Sequence, residues 1–296
     1  MTYRSEIDGL RAIAVLPVIF FHAGLSGFQG GYVGVDVFFV ISGYLITSIL
    51  IKDIDKGRFS LVHFYERRAR RILPPLYLTC FITIITCYFL MAPWELKLLS
   101  ESLMYVVFFL SNIFFYSNAD TAQYFSPQIE LFPLIHTWSL AVEEQFYVLF
   151  PILLFVLYRI NKKIVIPGII IIATFSLLFT QFGGNLAKTP PFFEPDFKLS
   201  SQPFLASFYM PFGRIWELLI GSMAAFISRE NFSRGISEFM SFLGIILILI
   251  SISLYDGSLT YPSAFTLVPV IGTFLLIIYS SPKTLIGSIL SMKYLV

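Results

Sequence analysis

Charged residues are scarce in this chain. Only 13% of its 296 residues are Asp, Glu, Lys or Arg, whereas typical globular domains contain about 25%. Hydrophobic residues make up 57% of the chain, and its mean hydropathy is +0.80. A soluble domain needs polar residues to cover its surface, and a disordered chain has low hydrophobicity, so both classes are excluded. The composition predicts an all-α, multi-pass integral membrane protein.

Cysteine and the common catalytic signatures are nearly absent as well. Two cysteines cannot make a disulfide-rich secreted scaffold, and Cys80 and Cys87, which share one apolar run, are predicted to be packing residues. The sequence has no Walker A motif, no G-x-S-x-G elbow and no H-E-x-x-H pair. Its three histidines show no metal-ligand spacing, and its net charge of +2 is too small to indicate a nucleic-acid partner. We therefore predict neither a metal site nor nucleic-acid binding.

Long apolar stretches dominate the rest of the sequence. A spanning helix needs about 20 mostly apolar residues. Nine stretches approach that length: 10–27, 31–51, 72–92, 98–117, 134–158, 164–182, 206–228, 239–254 and 265–280. The outer loop at 183–205 is rich in Gly, Pro and Phe, which suits a loop that faces a substrate.

Basic residues set the predicted orientation. Lys and Arg concentrate in short loops at 52–71, 159–163, 229–234 and 283–293, which the positive-inside rule places in the cytoplasm. These loops share one side only if an even number of spans separates them, yet three apolar stretches lie between 71 and 159. We predict that 98–117, the most polar of the three, is a re-entrant or interfacial segment. About eight spans remain, with both ends of the chain cytoplasmic.

Ionisable residues within the predicted spans mark candidate functional positions, because charges at bilayer depth are costly. Arg11 and His22 are eleven residues apart and share one face of the first helix, about 16 Å apart along its axis. Asp36 lies near the outer end of the second span, and we expect it at the depth of His22. A carboxylate beside an imidazole raises its basicity, as a general base requires. The alternatives are a hydrogen-bonded core histidine and a structural salt bridge within the hairpin.

Two adjacent carboxylates, Glu143 and Glu144, lie in the apolar stretch at 134–158. Their side chains project about 100° apart, so we expect at least one of them to face the bundle interior. Packing alone explains two neighbouring carboxylates poorly, which makes both of them candidate catalytic residues. In a later span, Arg214 and Glu217 are three residues apart and are predicted to form an intrahelical ion pair.

Four arginines occupy five consecutive positions at the start of the third span: Arg67, Arg68, Arg70 and Arg71. One interpretation is the ordinary positive charge of a cytoplasmic loop. The other is a phosphate-binding site, because a guanidinium group binds phosphate through two parallel hydrogen bonds.

Together these features resemble the membrane acyltransferase-3 family, the bacterial O-acetyltransferases of surface carbohydrates. The matching segments are the R-x10-H pattern of Arg11 and His22, GVDVFFVISGYLIT at 34–47, FYERRARRILP at 64–74, HTWSLAVEEQFYVLFP at 136–151 and PFGRIWELLIGSMAA at 211–225. The resemblance runs from residue 6 to the C-terminus, and it implies that 1–296 form one transmembrane domain. It implies transfer of an acyl group, usually acetyl from cytoplasmic acetyl-CoA, to a hydroxyl of an extracytoplasmic glycan or lipid-linked saccharide at the bacterial inner membrane.

The resemblance also implies roles for single residues. Arg11 and His22 correspond to an essential pair, and Glu143 and Glu144 fall in the family's V-E-E-Q-F-Y stretch. The R-x-x-R element fits two registers, Arg67 with Arg70 and Arg68 with Arg71, and the sequence leaves both open.

The expected mechanism places the phosphates of acyl-CoA on the arginine cluster and Arg11, and the thioester near His22, Asp36 and the two glutamates. His22 acts as a general base on the acceptor hydroxyl or carries the acyl group itself, and the sequence does not separate these roles. Two other functions stay open, a transporter or flippase and a non-catalytic remnant. The family's members continue with further spans, so we expect this chain to be cut short at its C-terminus.

Overall fold

The computed structural model describes residues 3–118, 132–186, 204–228 and 232–296. All regular elements in these ranges are helices, which confirms the predicted all-α class. Short 3-10 turns join twelve α-helices within the described ranges: α1 Ser5–His22, α2 Gly34–Asp55, α3 Leu61–Leu90, α4 Pro93–Val107, α5 Ser111–Ser117, α6 Thr137–Ile160, α7 Val165–Leu186, α8 Phe204–Tyr209, α9 Ile215–Ala224, α10 Arg234–Leu254, α11 Leu267–Tyr279 and α12 Leu285–Leu290. Most of the predicted substrate-facing loop at 183–205 lies outside the described residues.

Five helical segments are long and apolar enough to cross a membrane: Gly31–Asp55, Leu61–Leu90, Thr137–Ile160, Lys162–Phe182 and Arg234–Leu254. The apolar helices α9 and α11 are shorter. Because lipid offers no partners for exposed backbone groups, several such helices in one chain make it a multi-pass membrane protein. The count of eight spans stays a prediction.

The described basic loops gather at one end of the bundle, which we call the basic end. Lys162 after α6 pairs with Asp55 at the end of α2, with Nζ and Oδ1 2.8 Å apart. The rings of Phe59 and Phe155 stack beside this pair. At the N-terminus, an Arg4 guanidinium nitrogen donates to the Ile277 carbonyl oxygen near the end of α11, at 2.9 Å. The loops that precede α3, follow α6 and follow α11 therefore lie on one side, as the charge pattern predicts.

The segment between α3 and α6 begins and ends at the side opposite the basic end. Helix α3 starts at the basic end and α6 finishes there, so the chain between them has no net crossing. Within it, α4 stops at a sharp turn where Phe109 has a φ of 54°. The Phe109 carbonyl oxygen accepts a hydrogen bond from Gln145 of α6 at 3.0 Å. The turn after α4 suits a segment that folds back, and the absence of a crossing at 98–117 stays a prediction.

Helix α2 lies at the centre of the bundle and packs tightly against α9, which runs in the same direction. A Cβ atom added at Gly43 would lie 1.8 Å from the Leu218 carbonyl oxygen, and one added at Gly221 would lie 1.9 Å from the Val40 carbonyl oxygen. Only glycine permits this close approach of two backbones. The contact fixes the rotation of α2 about its axis, and therefore the directions in which its functional residues, described below, project.

We expect the Gly43→Ala substitution to destabilise the protein by about 1–3 kcal/mol, the usual cost of overpacking a core. The matched control is Gly235→Ala in the first turn of α10, where an added Cβ meets no atom within 4 Å. Thermal unfolding in detergent should give a lower midpoint for the first variant and an unchanged or higher one for the second. Equal midpoints for Gly43→Ala and the wild type would contradict the close α2–α9 contact.

Candidate active site

A cavity of about 830 Å³ opens among α1, α2, α3 and α6 in the half of the bundle nearer the basic end. Each helix contributes residues at helical spacing, so one stripe of each helix, with both apolar and polar residues, faces the space. The lining residues are Tyr3, Arg4, Ile7, Asp8, Arg11, Val15, Phe38, Ser42, Leu45, Ile49, Arg68, Arg71, Ile72, Leu140, Glu143 and Tyr147. We call this space the donor cavity.

The donor cavity carries an excess of positive charge. Four arginines line it against two carboxylates, those of Asp8 and Glu143. Arg11 is held by Asp8, with Nη1 and Oδ1 3.0 Å apart. By contrast, Arg68 and Arg71 have no carboxylate within ion-pair distance in the described part of the chain, and the Arg68 guanidinium lies 4.3 Å from the ring centre of Tyr147. Two guanidinium groups are therefore available to an anionic ligand.

The structure separates the two possible registers of the R-x-x-R element. Arg68 and Arg71 line the donor cavity. Arg67 instead reaches Asp53, with Nη2 and Oδ2 3.2 Å apart, and Arg70 pairs with Glu66 one turn earlier at 2.8 Å. Adjacent residues on a helix project about 100° apart, so both registers cannot face the same cavity.

Glu143 lies in the wall of the donor cavity and accepts two hydrogen bonds. The Ser42 hydroxyl donates to Oε1 at 3.1 Å, and the Tyr147 hydroxyl donates to Oε2 at 3.2 Å. Both carboxylate oxygens are thus oriented by neighbours on α2 and α6. Sequence reasoning missed Ser42 and Tyr147, although Tyr147 lies one turn after Glu143 and Ser42 is a polar residue inside an apolar run.

Glu144 faces a different space. It lines a largely apolar cavity of about 480 Å³ between α3, α6 and the turn after α4, together with Gln145 and Arg68. Its buried Oε1 atom has no hydrogen-bond partner in the described part of the chain. The two adjacent carboxylates therefore project into separate cavities on either side of Arg68.

Asp36 belongs to a buried ion-pair cluster. Nη1 of Arg214 lies 2.7 Å from Asp36 Oδ1 and 3.0 Å from Glu217 Oε1, and the Tyr261 hydroxyl donates to Asp36 Oδ2. The predicted pair of Arg214 and Glu217 is confirmed, with Asp36 as a third member. The expectation that Asp36 lies beside the His22 imidazole is wrong. A catalytic role for Asp36 stays a prediction. It can no longer rest on a contact in which Asp36 orients the His22 imidazole.

The start of α2 explains this difference in depth. A Cβ atom at Gly31 would collide with the Pro17 carbonyl, and one at Gly34 would collide with the Ala14 carbonyl. Helix α2 therefore begins alongside the middle of α1. His22 lies eight residues beyond Ala14, about 12 Å farther along the helix axis.

His22 ends α1 on the side opposite the basic end, where its side chain is exposed. Its Nδ1 atom lies 2.8 Å from the Val18 carbonyl oxygen. At the start of α6, desolvation and, to a smaller extent, the charge of His22 lower the pKa of His136. On α1 the donor cavity extends to Val15, seven residues or about 10 Å short of His22. Arg11 and His22 thus share a helix but lie at different levels of the site.

No group of three or more metal-ligating side chains occurs among the described residues. The arrangement instead offers cationic groups for a polyanionic ligand, one oriented carboxylate, and a histidine beyond the inner end of the cavity. Such a site suits transfer of a group from an anionic carrier.

The chain is similar to known acyltransferases along nearly its whole length. Residues 4–295 match the family described as "Acyltransferase domain". The O-acetyltransferase OatA of Staphylococcus aureus (strain NCTC 8325) is 31% identical over 309 residues, which cover 98% of this chain and 47% of OatA. The putative O-acetyltransferase SAS0844 of Staphylococcus aureus (strain MSSA476) is 31% identical over 310 residues, which cover 100% of this chain and 48% of that protein. The chain thus spans about half the length of these relatives, and no solved structure matches it.

Proposed function

Because the chain belongs to the acyltransferase-3 family, as its motifs predict, we propose that it transfers an acyl group, acetyl in the first instance, from acyl-CoA to a hydroxyl of a glycan or lipid-linked saccharide. The names of its relatives support O-acetyl transfer. We place the basic end in the cytoplasm and the end of α1 that carries His22 on the outer side of the inner membrane. The observation that carries the proposal is the donor cavity, where Arg68 and Arg71 face an open space and have no carboxylate within ion-pair distance among the described residues.

In this proposal the donor enters from the basic end. Its phosphates bind Arg68, Arg71 and Arg11 through charge-assisted hydrogen bonds. The apolar wall formed by Val15, Phe38 and Leu140 then guides the pantetheine arm and the thioester towards the level of His22. The uncharged acyl arm suits this apolar part of the cavity better than the phosphates do.

The transfer itself needs a group that handles the proton of the acceptor hydroxyl. His22 removes this proton while the hydroxyl oxygen forms a C–O bond to the acyl carbon and the C–S bond of the thioester breaks. In the two-step version the imidazole nitrogen forms the first bond to the acyl carbon, and the acceptor hydroxyl displaces it. In the direct version His22 passes this proton to the sulfur of the departing CoA. In the two-step version CoA leaves in the first step and its sulfur takes up the proton that the acylated imidazole loses, and the proton of the acceptor hydroxyl returns to the imidazole when the hydroxyl displaces it. Glu143 and Tyr147 line the route of the donor, and their hydrogen bond orients them towards it.

We expect the Arg71→Gln substitution to raise the KM for acetyl-CoA at least tenfold. One charge-assisted hydrogen bond is worth about 1.5–3 kcal/mol, and about 1.4 kcal/mol corresponds to a factor of ten in affinity. Arg68→Gln should behave in the same way. The adjacent Arg70 pairs with Glu66 outside the donor cavity, so Arg70→Gln is the matched control and should leave the KM within about twofold of the wild type.

The measurement uses purified protein in proteoliposomes, radiolabelled acetyl-CoA and isolated bacterial cell-wall glycan as the acceptor. Transfer of label to the glycan tests the proposed reaction. Equal KM values for Arg71→Gln and Arg70→Gln would assign the arginine cluster to membrane orientation alone. Uptake or efflux of an unmodified saccharide without acyl transfer would identify a transporter instead.

A further inference from the structure

A second cavity, of about 510 Å³, lies at the basic end, between the end of α2 and the start of α3. We call it the basic-end cavity. Three permanent cations line it, Lys52, Arg58 and Arg67, together with a single carboxylate, Asp53, and His63. The net charge of this lining is about +2 with a neutral imidazole.

Asp53 holds the two arginines without exhausting their donors. Arg58 approaches through Nε, 3.7 Å from Asp53 Oδ1, and Arg67 approaches through Nη2, 3.2 Å from Oδ2. A guanidinium group has five N–H donors, so each arginine keeps most of them for a ligand. Lys52 is half-buried and has no carboxylate within ion-pair distance among the residues that the structure describes. Asp53 thus orients Arg58 and Arg67, and Lys52 lies with them around an open space.

The basic-end cavity adjoins the donor cavity. Ile49 lines both spaces, and Lys52 follows it by one turn of α2. On α3, the adjacent Arg67 and Arg68 reach into different cavities, Arg67 into the basic-end cavity and Arg68 into the donor cavity. A single ligand with two separate anionic groups fits this arrangement.

We propose that the basic-end cavity binds a phosphate monoester, the 3′-phosphate of the acyl-CoA whose diphosphate and acyl arm occupy the donor cavity. The inference rests on the proposed function, because it assumes an acyl-CoA donor. A phosphate monoester carries a charge of about −1.5 to −2 at neutral pH, which matches the lining. The phosphodiester of a membrane lipid carries a single negative charge and matches it less well.

The test compares CoA with dephospho-CoA, which lacks only the 3′-phosphate. Binding to purified protein in phosphatidylcholine nanodiscs is measured by calorimetry. The wild type should bind CoA at least tenfold more tightly than dephospho-CoA. Lys52→Gln and Arg58→Gln should weaken CoA binding several-fold each and leave dephospho-CoA binding unchanged. Lys56→Gln is the matched control, because Lys56 is an exposed lysine of the same turn outside the cavity, and it should keep the wild-type preference.

The outcomes separate the two levels of the proposal. Equal affinities of the wild type for CoA and dephospho-CoA, or a preference that survives both substitutions, would overturn the 3′-phosphate site and leave an acyl-CoA donor in place. Failure of the folded wild type to bind either compound would overturn the donor itself. A repeat in nanodiscs with phosphatidylglycerol should give the same preference, and its loss there would assign the cavity to a lipid headgroup.

Discussion

We expect the His22→Asn substitution to lower the rate of acyl transfer by about 10²–10⁴-fold, the usual contribution of a positioned general base. Asparagine resembles the imidazole in size but neither takes up a proton at neutral pH nor forms an acyl intermediate. His22 lies about 10 Å beyond the part of α1 that lines the donor cavity, so binding of acetyl-CoA should be unchanged. The loss should therefore appear in kcat and not in the dissociation constant of the donor.

The measurement pairs steady-state transfer to cell-wall glycan with calorimetric binding of acetyl-CoA to the same preparation. Wild-type binding combined with more than about a tenth of wild-type transfer would exclude His22 as base or nucleophile. A rapid-quench experiment without acceptor separates its two possible roles. Release of one CoA per protein that His22→Asn abolishes shows an acyl group carried on the histidine, whereas no release from the wild type shows a general base that needs the acceptor hydroxyl.

Four of the six charged residues that line the donor cavity were candidate site residues from the sequence alone. Arg11, Arg68, Arg71 and Glu143 are charged residues in or beside apolar runs, and their cost at bilayer depth singles them out without a structure. The sequence could not decide which pair of arginines faces the cavity, because both pairs have the same spacing. Only the rotation of α3 about its axis decides that Arg68 and Arg71 face the cavity.

The partner of Asp36 could not be found in this way. Arg214 is 178 residues away in the chain, and no local pattern joins the two positions. The depth estimate counted residues from the ends of two apolar runs, whereas α2 begins beside the middle of α1 at the Gly31 and Gly34 contacts. Tertiary packing of small residues thus moved Asp36 about two helical turns from His22 and brought it to Arg214.

The buried cluster of Asp36, Arg214 and Glu217 also helps to hold α2 in place beside the donor cavity. Two buried carboxylates surround one guanidinium group, so the removal of Arg214 would leave Asp36 and Glu217 together without a counter-charge, which is costly. The same residues join α2 to the start of α9. Helix α2 also carries Ser42, which lines the donor cavity. We therefore interpret Asp36 as a residue that positions α2.

We expect Glu143→Gln to lower kcat by about 10²-fold or more, within the range for general acid–base groups, whereas Glu144→Gln should change kcat by less than about tenfold. The two variants make the same chemical change at adjacent positions. Glu143 lines the donor cavity, where Ser42 and Tyr147 each donate to one of its oxygens. A glutamine there replaces one acceptor oxygen with a donor NH₂ group and removes the negative charge.

Glu144 faces the apolar cavity on the other side of Arg68, so its loss leaves the donor cavity unaltered. Its buried Oε1 atom has no hydrogen-bond partner in the described part of the chain, and the neutral amide therefore forfeits little there. Thermal unfolding of both variants in detergent controls for folding. A larger loss of kcat in Glu144→Gln than in Glu143→Gln would move the chemistry from the donor cavity to the apolar one. A twofold or smaller effect in both folded variants would exclude both carboxylates from the transfer step.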